Sequence, residues 1–276
     1  MKPKWLIEDY EHDISLQPLI DEIKNQNMEV KVVKYEPFES GQYDFFNNDD
    51  CVVFYGTLNL GRQLQREKSW IPGIYCNFKN LCCHTYFSYW SKYLLNQDYI
   101  MLPMKEILTK REYVFNNFGK REVIFIRPDS GAKPITGQTL KYEELDKEFK
   151  LFGDYAGNDL DQIITIISTP KNISTEWRFI VVDKKVVAGS QYKKNGKLDI
   201  NSFFNVEAFE LANKIAQEDW QPDKAYTLDI CEWCGGYYLL EANSFSCSGL
   251  YDADMKPIVE EISRIALKEW KEYRIE

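Results

Sequence analysis

The chain has 276 residues, a net charge of −9 and a pI of about 5.0. Its 44% hydrophobic and 28% charged residues are typical of a globular protein and exclude a largely disordered or fibrous one. The acidic balance disfavours nucleic acid as a partner, and since no run of about 18 apolar residues occurs, no membrane span is expected. The seven cysteines form no regular framework and the first residues lack a signal-peptide pattern, so the cytoplasm is the expected location.

The first hundred residues alternate between short strands and helices. Strands are predicted over residues 4–8, 29–35, 51–55 and 73–78, and helices over 15–26, 57–65 and 85–96, with Ser15 as the candidate cap of the first helix. This alternation is typical of βα units, so residues 1–102 are predicted to form an N-terminal α/β domain with a mostly parallel sheet.

Residues 103–276 mix hairpins with helices. Strands are predicted over 122–126 and 163–168, hairpins over 177–183 with 186–192 and over 225–231 with 237–243, and helices over 140–151, 206–217 and 257–273. This part is therefore α+β in character, and the whole chain is predicted to be α/β plus α+β.

Oxygen-bearing side chains are concentrated in the last predicted hairpin. Glu241 and Asn243 lie two residues apart on one strand and so share a face. Asp229, on the partner strand, lies opposite Glu241 only if the turn has an odd number of residues or a bulge intervenes. If it does, two carboxylates and an amide oxygen converge, a set that suits Mg²⁺. The alternative is a hairpin with a solvated polar face.

Two further segments carry cations at strand positions. Arg127 ends a predicted strand and is followed by a Gly-, Ser- and Thr-containing loop that includes Lys133, so the segment is a candidate for binding a polyphosphate. It lacks P-loop spacing, and an ordinary surface turn is the alternative. Glu176 and Arg178 share a strand face, either as a structural ion pair or with Arg178 stabilising charge on a transferring phosphoryl group.

In this order along the chain, these segments resemble those of the ATP-grasp superfamily. The resemblance covers about residues 100–260 and is carried by a set of short motifs. These are Ile126-Arg127-Pro128 with the loop to Gly137, Ser168-Thr169-Pro170, Glu176-Trp177-Arg178, Val186 to Ser190, Asp229, and Leu240-Glu241-Ala242-Asn243. The resemblance implies an ATP-grasp fold of two α+β subdomains that hold ATP, preceded by an α/β domain.

The resemblance also implies roles for particular residues. Arg127 would contact the phosphates in place of the usual Lys, and Arg178 would face the phosphoryl group. Asp229, Glu241 and Asn243 would bind Mg²⁺. The other ATP-binding candidates would cover the phosphates, form the adenine-binding hinge or precede Arg178. They are Lys133, Thr136, Ile167, Ser168, Thr169 and Glu176.

The activity implied is Mg·ATP-dependent ligation, in which a carboxylate is phosphorylated and the acyl phosphate is attacked by an amine. The substrates would be small molecules or peptides. Ser244, Ser248 and Gly249 follow the metal strand directly and are candidates for meeting the carboxylate substrate, with a plain connecting loop as the alternative. Two rival functions stay open: simple phosphoryl transfer to a small molecule, and a catalytically silent nucleotide-binding module.

Cysteine spacing raises one more alternative. Cys231 and Cys234 form a CxxC pair, and Cys82, Cys83 and His84 are adjacent in sequence. Two such halves would make a zinc site, but adjacent cysteines chelate poorly. Buried free thiols are the preferred interpretation.

Overall fold

The computed structural model describes residues 2–10, 13–36, 43–131, 135–156 and 163–275. The chain divides into two compact units: unit 1 comprises residues 1–77 and 173–276, and unit 2 comprises residues 78–172. The division into domains at residue 102 stays a prediction. Among the described residues, no helix combines the length and the apolar character needed to cross a bilayer.

Unit 1 contains a four-stranded parallel sheet, as the alternating pattern predicted. Its strands are β1 (Lys4–Glu8), β2 (Val30–Val33), β3 (Cys51–Tyr55) and β4 (Ile71–Gly73), in the order β2-β1-β3-β4. The helices between them are α1 (Leu16–Asn25) and α2 (Leu58–Glu67). The strand predicted over 73–78 is wrong in position, because the positive φ of Gly73 (69°) takes the chain out of the extended conformation.

Helix α1 begins at the predicted place but is not capped as expected. The Ser15 side chain makes no cap hydrogen bond; its hydroxyl donates to Asp13 Oδ1 (2.5 Å) and accepts the backbone N–H of Leu250 (3.2 Å). Ser15 therefore links α1 to the loop that follows the last strand, which lies far away in sequence.

The second sheet of unit 1 is antiparallel. Its strands are β9 (Thr175–Val182), β10 (Lys185–Lys194), β11 (Lys197–Asn201), β12 (Ala225–Trp233) and β13 (Gly236–Ser244), in the order β11-β10-β9-β12-β13. Both predicted hairpins form, and α7 (Val206–Ala216) packs on this sheet. The last helix, α8 (Met255–Tyr273), contacts strands of both sheets. Its buried residues Ile258, Ile262 and Ala266 share one apolar core with residues of β1, β3 and β9.

Unit 2 is built on a second antiparallel sheet. Its strands are β5 (Tyr99–Pro103), β6 (Val123–Pro128), β7 (Gln138–Lys141) and β8 (Ile164–Ser168), in the order β5-β8-β6-β7, and its helices are α3 (Cys83–Trp90), α4 (Met104–Thr109), α5 (Arg111–Phe118) and α6 (Leu145–Ala156). Two helix predictions are corrected here. The helix predicted over 140–151 begins only at Leu145, because Gln138–Lys141 pairs with β6. The helix predicted over 85–96 ends at Trp90 and continues as a 3₁₀ turn over Ser91–Tyr93.

Candidate functional site

A β-bulge sets the register of the β12–β13 hairpin. The turn has two residues, Cys234 and Gly235, and both have positive φ (50° and 76°), as in a type I′ turn. Such a turn alone would bring Leu240 opposite Asp229. A register shift between Asp229 and Ile230 leaves Leu240 as the extra residue and brings Glu241 opposite Asp229. The bulge, rather than an odd-numbered turn, therefore produces the pairing that the sequence left conditional.

The three oxygen-bearing side chains of this hairpin lie together. Asn243 Nδ2 donates to Glu241 Oε1 (3.0 Å) and approaches Asp229 Oδ2 (3.5 Å). The Asp229 side chain is 1% exposed and that of Glu241 is 20% exposed, so the cluster opens to solvent through Glu241. Rotation of the Asn243 amide about its last bond would turn its oxygen to the two carboxylates, which makes a set of hard oxygen ligands.

Arg178 forms a buried ion pair with Asp229. The two residues are opposite one another on β9 and β12. Arg178 Nε donates to Asp229 Oδ1 and Nη2 to Oδ2, both at 2.7 Å, while Nη1 donates to the backbone oxygen of Gly249 at 3.0 Å. Nη2 also lies 3.9 Å from Glu241 Oε1. One guanidinium thus contacts both carboxylates of the cluster.

Two tyrosines contact this guanidinium, and neither was predicted from the sequence. The rings of Tyr192 and Tyr251 stack with centroids 4.9 Å apart, and Arg178 Cζ lies 5.6 Å and 5.1 Å from the two centroids. The Tyr192 hydroxyl donates to Glu176 Oε2 at 2.6 Å. Tyr192 is the extra residue of a bulge in β10, between Gln191, which pairs with Trp177, and Lys193, which pairs with Glu176, so strand alternation does not place it. Tyr251 lies in a loop, so alternation does not place it either.

Burial controls the electrostatics of this cluster. Loss of hydration raises the pKa of Asp229 to about 6, against the attraction of Arg178, and the neighbouring Glu241 adds repulsion. Burial alone would lower the pKa of Arg178, but the charge and hydrogen bonds of Asp229 hold it well above its usual range. The site therefore contains a buried cation paired with a carboxyl group whose pKa is raised by burial.

The candidate substrate residues lie at the end of β13 and in the loop that follows it. The Ser244 hydroxyl accepts the backbone N–H of Cys247 (3.2 Å), and the Ser248 carbonyl accepts the Tyr55 hydroxyl (3.0 Å). Gly249 contacts Arg178 through its carbonyl oxygen rather than its N–H. The loop is thus held between the end of β3 and the Arg178 cluster.

The remaining candidates belong to unit 2, apart from Glu176, which is buried on β9. Arg127, half-buried on β6, pairs in register with Ile166 of β8. Ile167 and Ser168 are buried on β8, and the Ser168 hydroxyl has no hydrogen-bond partner among the described residues. Thr169 is half-buried and Thr136 exposed. Lys133 lies outside the described residues.

Comparison with models of known protein families identifies the family of the chain. The family model described as ATP-grasp domain, R2K clade family 2, matches residues 105–260, which is more than half of the chain. The chain belongs to this ATP-grasp family. The ATP-grasp resemblance and the fold class inferred from the sequence are thereby confirmed. A search of curated proteins finds no match to this ATP-grasp protein.

Solved structures share the fold across nearly the whole chain. The D-cycloserine synthetase DcsG superposes with a TM-score of 0.63 at 9% identity, covering 95% of this chain and 99% of its own. A D-alanine–D-alanine ligase from Bacillus anthracis, complexed with ATP, gives 0.60 at 13% identity, with coverages of 99% and 100%. The ATP-grasp ligase PsnB, complexed with a minimal precursor, gives 0.59 at 12% identity, with coverages of 98% and 100%. At these identities the likeness shows that this ATP-grasp protein has the same fold.

Proposed function

We propose that the chain is a Mg·ATP-dependent ligase that joins a carboxylate to an amine. The observation that carries this proposal is the convergence of Asp229, Glu241 and Asn243 around the guanidinium of Arg178. Membership of the ATP-grasp family supports the use of ATP. The reaction would transfer the γ-phosphoryl group to a carboxylate and release ADP; an amine would then attack the acyl phosphate and release inorganic phosphate.

Asp229, Glu241 and Asn243 are proposed as the magnesium ligands. They are hard oxygen donors on adjacent strands, and Glu241 keeps access to solvent, so the residues suit the ion. A bound Mg²⁺ would neutralise charge on the transferring phosphoryl group. Structures of PsnB with Mg and ADP support the same requirement here.

Arg178 is proposed to stabilise the negative charge that develops during phosphoryl transfer. Two of its N–H groups are occupied by Asp229, and a cation that coordinates this carboxylate would compete with that ion pair. The rings of Tyr192 and Tyr251 contact the guanidinium. These contacts would keep it oriented when Asp229 coordinates the metal ion.

Other residues are proposed to bind ATP and substrate. Arg127 would contact the phosphates as a second catalytic cation, and Ser244, Ser248 and Gly249 would meet the carboxylate substrate. The nucleotide contacts would come from Lys133, Thr136, Ile167, Ser168, Thr169 and Glu176. The substrates would be small molecules or peptides, as the D-alanine ligase and the PsnB precursor complexes suggest, and the reaction would take place in the cytoplasm.

Two glutamate variants of one hairpin test the metal assignment. Glu241→Gln removes a proposed ligand charge, whereas Glu232→Gln makes the same change on β12, on the face opposite to Asp229. Calorimetry measures the Kd of AMPPNP with and without Mg²⁺. We expect Mg²⁺ to lower this Kd in the wild type and in E232Q, and the factor by which it does so to be at least tenfold smaller in E241Q. Equal magnesium dependence in all three proteins would contradict the assignment.

The chemistry is tested by product analysis. The wild-type chain is incubated with Mg·ATP, a panel of amino acids and hydroxylamine, which traps acyl phosphates as hydroxamates. Ligation predicts ADP together with a hydroxamate for the productive carboxylate, and loss of both in E241Q. ADP with a stable phosphorylated product would instead indicate simple phosphoryl transfer. AMPPNP binding without ADP formation throughout the panel would indicate a silent nucleotide-binding module.

A further inference from the structure

A second cluster of metal-ligating side chains lies in unit 2, whereas the Arg178 cluster belongs to unit 1. Cys82 and His84 lie at the start of α3, and Asp129 follows β6. One ligand atom from each residue lies within 4.8 Å of the other two. In the part of the chain that the structure describes, no other group of three His, Cys, Asp or Glu residues meets this condition.

The carboxylate of this cluster is fixed by the backbone on both sides. Asp129 is only 7% exposed. Its Oδ1 accepts the N–H of His84 (2.7 Å), its Oδ2 lies 2.5 Å from His84 Nδ1, and its carbonyl accepts the N–H of Cys83 (2.8 Å). The N–H of Asp129 donates to the carbonyl of Ile164 on β8 (2.8 Å). These hydrogen bonds connect the start of α3 to the end of β6 and hold the Asp129 carboxylate beside His84.

The two adjacent cysteines, Cys82 and Cys83, have different surroundings. Cys82 is half-buried and its thiol donates to the carbonyl of Phe78 (3.2 Å). Cys83 is buried and lies 3.3 Å from the Tyr86 hydroxyl, so only one of the two adjacent cysteines contributes to the cluster. Zinc binds the thiolate, so a bound ion would replace the proton of the Cys82 thiol.

We propose that Cys82, His84 and Asp129 bind one zinc ion, with the fourth position left to water. A thiolate, an imidazole and a carboxylate are the donors that zinc prefers, whereas Mg²⁺ and Ca²⁺ require oxygen ligands alone. The thiolate and the carboxylate together would balance the 2+ charge of the ion. The proposal does not depend on the function proposed for the Arg178 cluster.

The ligand atoms, which lie within 4.8 Å of one another, would shift by about 1 Å to admit the ion, since tetrahedral bonds of about 2.3 Å to sulfur and about 2.0 Å to nitrogen or oxygen separate those atoms by about 3.5 Å. With bonds of about 2.0 Å to nitrogen and oxygen, tetrahedral geometry separates those two ligand atoms by about 3.3 Å. His84 and Asp129 would therefore move apart by less than about 1 Å. The His84 side chain is 57% exposed and has room for this movement, while Asp129 stays in place.

The site would also influence the segment that follows. The N–H of Gly131 hydrogen-bonds to the Cys82 sulfur, and Asp129 is two residues from Arg127 on the same chain. A bound ion would therefore tie the end of β6 and the beginning of the next loop to α3.

Cobalt and zinc titrations of the full chain test the proposal. The reduced, chelator-treated protein is titrated with Co²⁺ under absorbance and with Zn²⁺ under calorimetry. We expect one ion per chain, a thiolate-to-cobalt charge-transfer band and the strong visible absorption of four-coordinate cobalt. Cys82→Ser should remove the charge-transfer band, and His84→Ala should weaken zinc binding at least tenfold. Since His84 is exposed, H84A should keep the wild-type circular dichroism spectrum.

Two control variants define the outcomes. Cys234→Ser removes an exposed thiol of unit 1 and should leave zinc binding unchanged, as should Glu241→Gln at the proposed magnesium site. Zinc binding that survives unaltered in both C82S and H84A, or that is absent from the wild type, would overturn the proposal and leave His84 and Asp129 as a hydrogen-bonded pair only. Loss of nucleotide binding in E241Q with zinc binding intact would separate the two assignments.

Discussion

The buried ion pair between Arg178 and Asp229 allows a quantitative prediction. Its side chains are 8% and 1% exposed and share two hydrogen bonds of 2.7 Å. Arg178→Met removes the cation and leaves a buried carboxylate without its partner. Because breaking a buried pair costs about 3–5 kcal/mol, we expect R178M to lose about that much free energy of unfolding at pH 8. Asp229→Asn, which removes the charge that directly pairs with the buried guanidinium, should cost a similar amount.

The double variant gives a more specific prediction for the free energy of unfolding. R178M/D229N removes both charges, so its loss should be smaller than the sum of the two single losses by about 2–4 kcal/mol. Urea denaturation of the four proteins, monitored by circular dichroism, measures this difference. Single losses that add to within about 0.5 kcal/mol would refute the interpretation that Arg178 chiefly compensates the buried charge of Asp229.

The pH dependence of the same variants provides an independent check. Burial raises the pKa of Asp229 above its unfolded value, so the folded state binds more protons and the carboxyl group destabilises the fold as pH rises through about 6. In R178M the attraction that lowers this pKa is gone, so the stability deficit should be largest at pH 8 and should shrink towards pH 5. In D229N this dependence should disappear. A deficit of R178M that is independent of pH would contradict the reasoning.

Three further predictions concern single positions in unit 1. A Cβ at Gly189 would lie 2.4 Å from the Phe179 ring, so Gly189→Ala should cost about 1–3 kcal/mol by thermal denaturation; an unchanged Tm would refute this. Burial raises the pKa of Asp223 to about 7, so wild-type stability should fall as pH rises from 5 to 8. Because Asp223 is partly exposed, we expect this fall to be about 2 kcal/mol greater than in D223N, and parallel pH profiles would be the contrary result. Tyr192→Phe removes the hydrogen bond to Glu176 and should cost about 1–2 kcal/mol in urea denaturation, with no loss if that bond is unimportant.

The elements that the sequence predicted well are those specified by local chemistry. The hairpin of β9 and β10 forms as predicted, although its turn residues are Asp183 and Lys184, both with positive φ, one residue earlier than the predicted Lys184 and Lys185. The ATP-grasp resemblance added the family, which the family match over residues 105–260 confirms. Local pattern and resemblance were thus enough for the fold class.

The parts that were missed depend on partners far away in sequence. β5 exists because Tyr99–Pro103 pairs with β8, more than sixty residues later, and no strong alternation marks it. The hydroxyl of Ser15 serves Asp13 and Leu250 instead of its helix. Tyr251 reaches Arg178 from an irregular loop. For the site, the sequence predicted which side chains to examine, whereas their contacts required the tertiary structure.

The position of the extra residue, Leu240, determines which changes in length this hairpin tolerates. The eleven residues between Asp229 and Glu241 comprise four cross-strand pairs, the two turn residues and Leu240. Deleting Leu240 alone would remove the bulge and leave Glu241 as the residue directly opposite Asp229. Lengthening the turn alone would leave the pairs of the stem and the bulge as they are. The facing of the two carboxylates therefore depends on the pairs on either side of the bulge and not on the length of the turn.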